Sequence, residues 1–268
     1  MKDDIGKNGW LALLYHACFV TFIVAPLLVV TLVAFTDKDY IAMPFSGASL
    51  RWFKAILAAP DIVDAFWLSL WLALGSATIA AAVAVPSAIA LARYRFRGRD
   101  ALTAMLMSPL MIPHIVLGVA FLRFFSLTGL SGSFIALTLV HAVIVVPYSL
   151  RLTLAALTGM DRDAEQAAMS LGATRLTTFR RVLLPLIMPG VAGGWMLAFI
   201  QSFDEVTMTI FVATPGTNTL PVAMYNRISQ MTDPLVTSIS AVMIFGTLIL
   251  MVLLDRTVGL DRVLIGKK

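Results

Sequence analysis

Six stretches of this chain are almost entirely apolar. Each is near the roughly 20 residues that an α-helix needs to cross a hydrocarbon core. They lie at residues 11–35, 66–92, 102–125, 134–157, 190–213 and 235–254. The second contains no charged residue, and the short polar segment SLTGLSGS at 126–133 separates the third from the fourth. Charged residues gather between the stretches. The pattern predicts an all-α polytopic membrane protein, with six transmembrane helices in one domain spanning residues 1–268. Its longest polar interruption between late spans is 161–189, DRDAEQAAMSLGATRLTTFRRVLLPLIMP.

Composition agrees. Hydrophobic residues make up 59% and charged residues only 13%, against about 25% charged in a soluble domain. The one cysteine, Cys18, excludes an intrachain disulfide and a cysteine-based metal cluster. The first apolar run is longer than the roughly 7–15 residues of a signal-peptide core and has no clear cleavage site, so it reads as an uncleaved span. The net charge of +5 is explained by orientation rather than by nucleic acid. Lys2, Lys7, Arg93, Arg95, Arg97, Arg99, Arg162, Arg175, Arg180, Arg181, Arg256, Arg262, Lys267 and Lys268 fall in one set of loops and ends. Only Lys38, Arg51, Lys54, Arg123 and Arg227 fall in or beside the other set, and Arg151 lies in span four. Basic residues concentrate on the cytoplasmic side. Both termini and the 161–189 loop are therefore expected in the cytoplasm, and the loops at 36–64 and 214–234 outside.

Within the long loop, Ala164 to Leu171 is a short helix-former. Ala167, Ala168 and Leu171 lie at i, i+1 and i+4 and give it a small apolar face. Gly172 stands where a helix end wants a positive φ. Thr174 to Arg181 predicts a second, basic helix, and Pro185 and Pro189 are expected to reset the chain before span five. Two short helices joined at a glycine make a knob suited to a pocket on a soluble partner.

This loop resembles the EAA loop of ABC-importer permeases, with its pattern E-A-A-x3-G-x9-I-x-L-P. Ala167, Ala168, Gly172, Val182, Leu184 and Pro185 fall on that spacing. Gln166 occupies the pattern's Glu position, and Glu165 is the nearest acid. The segments FSGASLRWFKAI (45–56), ARYRFRGRD (92–100) and FDEVTMTIFVATPGTNTLPVAMY (203–225) are similar to permeases of the spermidine/putrescine type, the PotC-like subfamily. The resemblance implies a type I (MetI-like) importer fold in the bacterial inner membrane. It assigns ATPase coupling to Glu165, Gln166, Ala167, Ala168, Gly172, Leu184 and Pro185. It also implies partners: an ABC ATPase dimer that carries ATP and Mg, a second homologous permease in a heterodimer, and an external solute-binding protein. Polyamine is the first substrate expected. Relatives of this architecture also handle 4-aminobutyrate, opines, aminoethylphosphonate, thiamine or ferric iron.

Charged groups within a span usually face a bundle interior or a water-filled path. Asp204 and Glu205 are the clearest, about 21 Å along a helix beginning near Gly190. Either they line a substrate path, with Phe203 and Trp195 adding cation–π contact, or they pair with Arg123 or a partner's basic residue. His114 and His141 read as hydrogen-bonded interior residues. Pro86, Pro109, Pro113 and Pro147 are expected to kink their helices. Small residues Gly75, Ala80, Ala81, Ala84, Gly193 and Gly194 suit close helix packing. The loop 213–221, ATPGTNTLP, either touches a binding protein or only connects helices.

No G-x-x-x-x-G-K-[ST] pattern, metal-ligand spacing or nucleophile motif occurs, so no cofactor is expected on this chain. A polytopic membrane enzyme and an ion channel remain as readings of a different class. A bulky residue at Gly172 separates the channel from the importer: loss of transport in an uptake assay is expected for the importer alone.

Overall fold

The computed structural model describes residues 9–41, 47–230 and 233–258. Lys2, Lys7, Phe45, Ser46, Arg262, Lys267 and Lys268 lie outside the described residues. Among the described residues, elements are helical, and β pairing is confined to an isolated bridge between Thr36 and Ala48. The helices are α1 (Gly9–Val33), α2 (Arg51–Leu57), α3 (Pro60–Arg93), α4 (Arg99–Met107), α5 (His114–Thr128) and α6 (Phe134–Thr158). They continue with α7 (Asp163–Ser170), α8 (Arg175–Thr178), α9 (Leu184–Phe203), α10 (Thr209–Val212), α11 (Leu220–Gln230) and α12 (Pro234–Val258).

Four helices are long and apolar enough to cross a membrane by themselves: Gly9–Val33, Pro60–Arg93, Phe134–Thr158 and Arg175–Phe203. A fifth crossing would be the bent pair Arg99–Leu110 and His114–Thr128, and Pro234–Ile249 is a shorter apolar helix. The bend expected in the third span is sharp: its two pieces meet at 98°. Pro109 and Pro113 explain this, because Pro113 has no N–H to bond back to residue 109 and its ring crowds that carbonyl. Pro86 and Pro147, by contrast, sit inside continuous helices.

The fifth span is shifted toward the N-terminus. Instead of starting near Gly190 after a proline reset, helix runs unbroken from Arg175 to Phe203, and it ends there rather than at Ala213. A π-helical turn at Phe179–Leu183 lies just before Pro185. The wider turn gives the ring room against the preceding carbonyls, so the helix passes through the proline.

The chain forms two compact units, residues 1–63 with 226–253, and 64–225 with 254–268. In the first, α1 is apolar on all sides and only 6% of its apolar window is buried, as for a helix facing lipid. The segment after it is tied down locally. Ser49 N–H donates to the Phe35 carbonyl at 2.8 Å, Trp52 Nε1 donates to Lys38 at 3.2 Å, and Arg51 pairs with Asp39. Arg227 bridges Asp61 at 2.8 Å and Asp233 at 3.0 Å. The hydrogen bond to Asp61 raises the Arg227 pKa above its ordinary value, so the guanidinium stays charged.

In the second unit α6 is the central post, with 67% of its apolar window buried. Against it lies a column of fully buried alanines on α3: Ala73, Ala77, Ala80, Ala84 and Ala88. Ser76 Oγ donates to the Thr138 carbonyl across this contact at 3.0 Å. On another side α9 approaches so closely that a Cβ at Gly190 would stand 2.5 Å from Ala156 Cβ and 2.9 Å from the Leu152 carbonyl. A Cβ at Gly194 would stand 2.9 Å from the Ser149 carbonyl. The crossing therefore depends on a small-xxx-small pair, Gly190 and Gly194. Gly193 is not part of it, since its Cβ would meet only Leu152 Cδ1 at 3.7 Å.

Gly190→Ala is expected to destabilise the chain by about 1–3 kcal/mol through overpacking, and Gly193→Ala to leave it unchanged. Thermal unfolding in detergent checks the contrast.

Candidate functional site

Two regions of the second unit hold the residues singled out by sequence. The first is the loop between α6 and α9. Its first helix, α7, closes with hydrogen bonds from Gly172 N–H to the Met169 carbonyl and from Ala173 N–H to the Ala168 carbonyl, both 3.0 Å. Gly172 has φ +87°, the left-handed residue such a closure requires. Thr174 then caps α8, its hydroxyl oxygen accepting from Thr177 N–H at 3.3 Å. The result is a hairpin of two short helices turning at Gly172, with α8 merging into α9.

The tip of this hairpin is apolar and uncovered. Leu171 is 90% exposed, with Leu176 at 58% and Met169 at 45%. Gln166 and Ala167 are exposed, Ala168 is half-buried, and an added Cβ at Gly172 would touch nothing within 4 Å. Leu184 is half-buried and Pro185 exposed on the first turn of α9, away from the tip in sequence but on the same continuous helix.

Glu165 turns the other way. Its carboxylate meets Arg93 Nη2 at 2.6 Å, with the two side chains only 17% and 12% exposed. The contact is ionic, without the alignment of a hydrogen bond. Beside it, Arg162 Nη2 donates to the carbonyls of Ala92 and Arg93 at 3.2 Å, closing two of the free carbonyls at the end of α3. The first turn of α7 is thus pinned to the end of α3. Sequence reasoning missed this anchor: the paired residues lie 72 positions apart, and only the acid's place beside the EAA-like spacing marked it.

The second region is the break after α9. Trp195, Phe199 and Phe203 recur every four residues and form a ladder, with ring centroids 5.7 and 6.0 Å apart. Phe66 meets Phe203 edge-on at 6.3 Å. Trp195 Nε1 donates to Thr78 Oγ1 at 3.2 Å. At the end of the ladder the helix stops and the two acids part company. Asp204 is exposed, and its carboxylate has no hydrogen bond or ion pair among the described residues. Glu205 is 6% exposed. Its Oε1 accepts from Met208 N–H at 2.7 Å, and its Oε2 lies 2.7 Å from His114 Nδ1.

Glu205 therefore caps the following turn, an i to i+3 contact of the N-cap kind, and joins it to the start of α5. The expected alternative partner, Arg123, is exposed on α5 and pairs with neither acid. His141, fully buried, bridges Ser202 Oγ and Thr209 Oγ1 at 3.0 Å each, and so holds both sides of the same break. Gly118 on α5 completes the packing, since a Cβ there would stand 2.7 Å from Phe211 and 3.0 Å from the Met208 carbonyl. No group of three or more metal-ligating side chains occurs among the described residues.

A family model described as the binding-protein-dependent transport system inner membrane component matches residues 84–260. The chain belongs to this family. It is 32% identical over 247 residues to the spermidine/putrescine transport system permease protein PotC of Haemophilus influenzae, covering 92% of this chain and 94% of that one. It is 31% identical over 231 residues to the putrescine transport system permease protein PotI of Escherichia coli strain K12, covering 84% and 82%. Its fold matches that in a crystal structure of a bacterial ABC transporter involved in the import of the acidic polysaccharide alginate. That match has a TM-score of 0.77 and covers 96% of this chain and 99% of that one, at 14% identity. The chain is thus a multi-pass inner-membrane permease of an ABC importer. A permease of this family works with other chains, among them a solute-binding protein and an ATPase.

The anchor of this permease's hairpin is expected to show in a double-mutant cycle. Arg93→Ala or Glu165→Ala alone leaves a largely buried charge unpaired, a loss on the order of 3 kcal/mol. The double variant is expected to lose less than the sum. Thermal unfolding of all four proteins gives the coupling, and a coupling near zero would remove the anchor.

Proposed function

We propose that this permease carries polyamines, and that its α7–α8 hairpin is the surface through which ATP binding on partner chains drives it. The carrying observation is the ladder Trp195, Phe199 and Phe203 that ends at the unpaired carboxylate of Asp204. Aromatic faces attract ammonium groups, and a carboxylate offsets the loss of their hydration. A flexible chain of methylenes with amines at intervals suits such a row. The names of the two relatives, PotC and PotI, support the same substrate class.

The coupling side follows from the exposed tip. Met169, Leu171 and Leu176 offer apolar area around a glycine with no neighbour, which favours insertion into a cleft of an ATPase. Glu165 has no part in that contact; it holds α7 on α3. Gln166, exposed, can donate or accept a hydrogen bond there without charge. ATP and Mg belong to the ATPase dimer. Closure of that dimer moves the hairpin, and α9 carries the movement as one body: 29 residues of continuous helix reach about 43 Å. The far end of that rod is the break at Asp204. Alternating access then follows from rocking against a second, different permease. In this reading both termini and the hairpin lie in the cytoplasm. The exposed Pro215–Gly216 tip, held by the Thr214 and Thr217 hydroxyls, faces the solute-binding protein.

The test is ATP-dependent uptake of labelled spermidine and putrescine by the assembled importer, with 4-aminobutyrate, thiamine and ferric iron as competitors. Saturable polyamine uptake is expected, and Asp204→Asn should reduce it at least tenfold while leaving the protein's melting temperature unchanged. Glu205→Gln should instead lower the melting temperature. Uptake of a competitor in place of polyamine would overturn the substrate and leave the permease standing.

A further inference from the structure

The turn between α3 and α4 forms, with the start of α7, a cavity of about 450 Å³ in which four of the seven lining residues are arginines. Arg93, Tyr94, Arg95, Arg99 and Arg162 line it. The charges can be accounted for one by one. Arg93 is neutralised by Glu165. Arg99 uses Nε on the Leu91 carbonyl at 3.0 Å, and Arg162 uses Nη2 on the carbonyls of Ala92 and Arg93. Neither meets a carboxylate, and a guanidinium has five N–H donors, so most of their donors stay free. Arg95 has no hydrogen bond or ion pair among the described residues. Three full positive charges therefore face one cavity with no acid among its lining residues. The partial negative charge of the α3 end offsets only a fraction of them.

We propose that this cavity binds a phosphate-bearing anion, and that in the membrane the anion is the headgroup of an acidic phospholipid. Guanidinium forks match phosphate oxygens in geometry and charge. The cavity lies at the very end of a 34-residue apolar helix, where headgroups sit. Tyr94 and Phe96 in the same turn are 56% and 40% exposed, as aromatic side chains at a lipid–water boundary are. Basic pockets between membrane helices on the cytoplasmic side are a known setting for acidic headgroups. The bound phosphate would bridge Arg95 and Arg99 on one side to Arg162 on the other. Arg162 is the residue that precedes α7, so occupancy would add a second clasp to the hinge at which the coupling hairpin meets α3.

The full importer in nanodiscs tests this, with retained lipid counted by native mass spectrometry. In discs of phosphatidylcholine and phosphatidylglycerol, wild type is expected to retain phosphatidylglycerol. Arg95→Gln, which breaks no protein contact, should retain it about fivefold more weakly. A second arm titrates inorganic phosphate into discs of phosphatidylcholine alone, where no binding is expected below about 10 mM, a weak-ligand range. Phosphate binding there that depends on Arg95 would keep the site and overturn the lipid as its source. Equal retention by wild type and variant, with no phosphate binding, would overturn the site. Neither readout requires polyamine transport.

Discussion

The second unit depends on how near α9 can come to α6. In a bilayer, lipid tails are as apolar as leucine side chains, so helices gain little from hydrophobic burial against each other. What holds them is contact at close range. Gly190 and Gly194 let the α9 backbone lie against the carbonyls of Leu152 and Ser149, and the alanine column of α3 does the same from another side. With α6 gripped on both flanks, the acids, the hairpin and the basic cavity keep fixed positions relative to one another. A close-packed seam also moves as a unit, since a gap of even half an ångström loses much of the contact.

Such a seam suits the proposed passage of movement from the hairpin to the other end. The hairpin has few tertiary contacts of its own: its tip is bare, and its attachments are the Arg93–Glu165 pair, the Arg162 hydrogen bonds and the helix into which α8 merges. These attachments lie on α3 and α9, the two helices packed on α6. A push on the tip is therefore delivered to both sides of the post. At the other end, Glu205 and His141 stitch the broken end of α9 to α5, α6 and α10. Asp204 is left as the polar group with no structural duty.

Much of this was readable from the chain, for identifiable reasons. Apolar runs reveal spans because a spanning helix has no choice of composition. The hairpin was readable because local rules fix it: a helix-former, then Gly172 with positive φ, then the capping Thr174. The ends of span five were not readable, because two local signals misled. Pro185 reads as a stop, and only a π turn ending two residues earlier shows why it is not. Asp204 and Glu205 lie in an apolar run that reads as unbroken helix, and the stop depends on Glu205 reaching Met208 and His114. The pairing of Glu205 with His114 rather than Arg123 is a three-dimensional choice. It is set by the 98° bend at Pro113, which places the first residue of α5 against the end of α9. Gly190 was overlooked for the same kind of reason: the adjacent pair Gly193 and Gly194 draws the eye, but adjacent residues do not share a face, whereas Gly190 and Gly194, four apart, do.

The π turn at Phe179–Leu183 also takes up slack. A π turn arises when one residue more than the α-helical repeat is fitted into the ladder, and its slower winding absorbs that residue within the turn. The helix faces before and after it therefore stay aligned. Removing one residue from that turn would restore the plain ladder and set the Pro185 ring against the carbonyl one turn earlier. The spare residue is room left for a proline to pass.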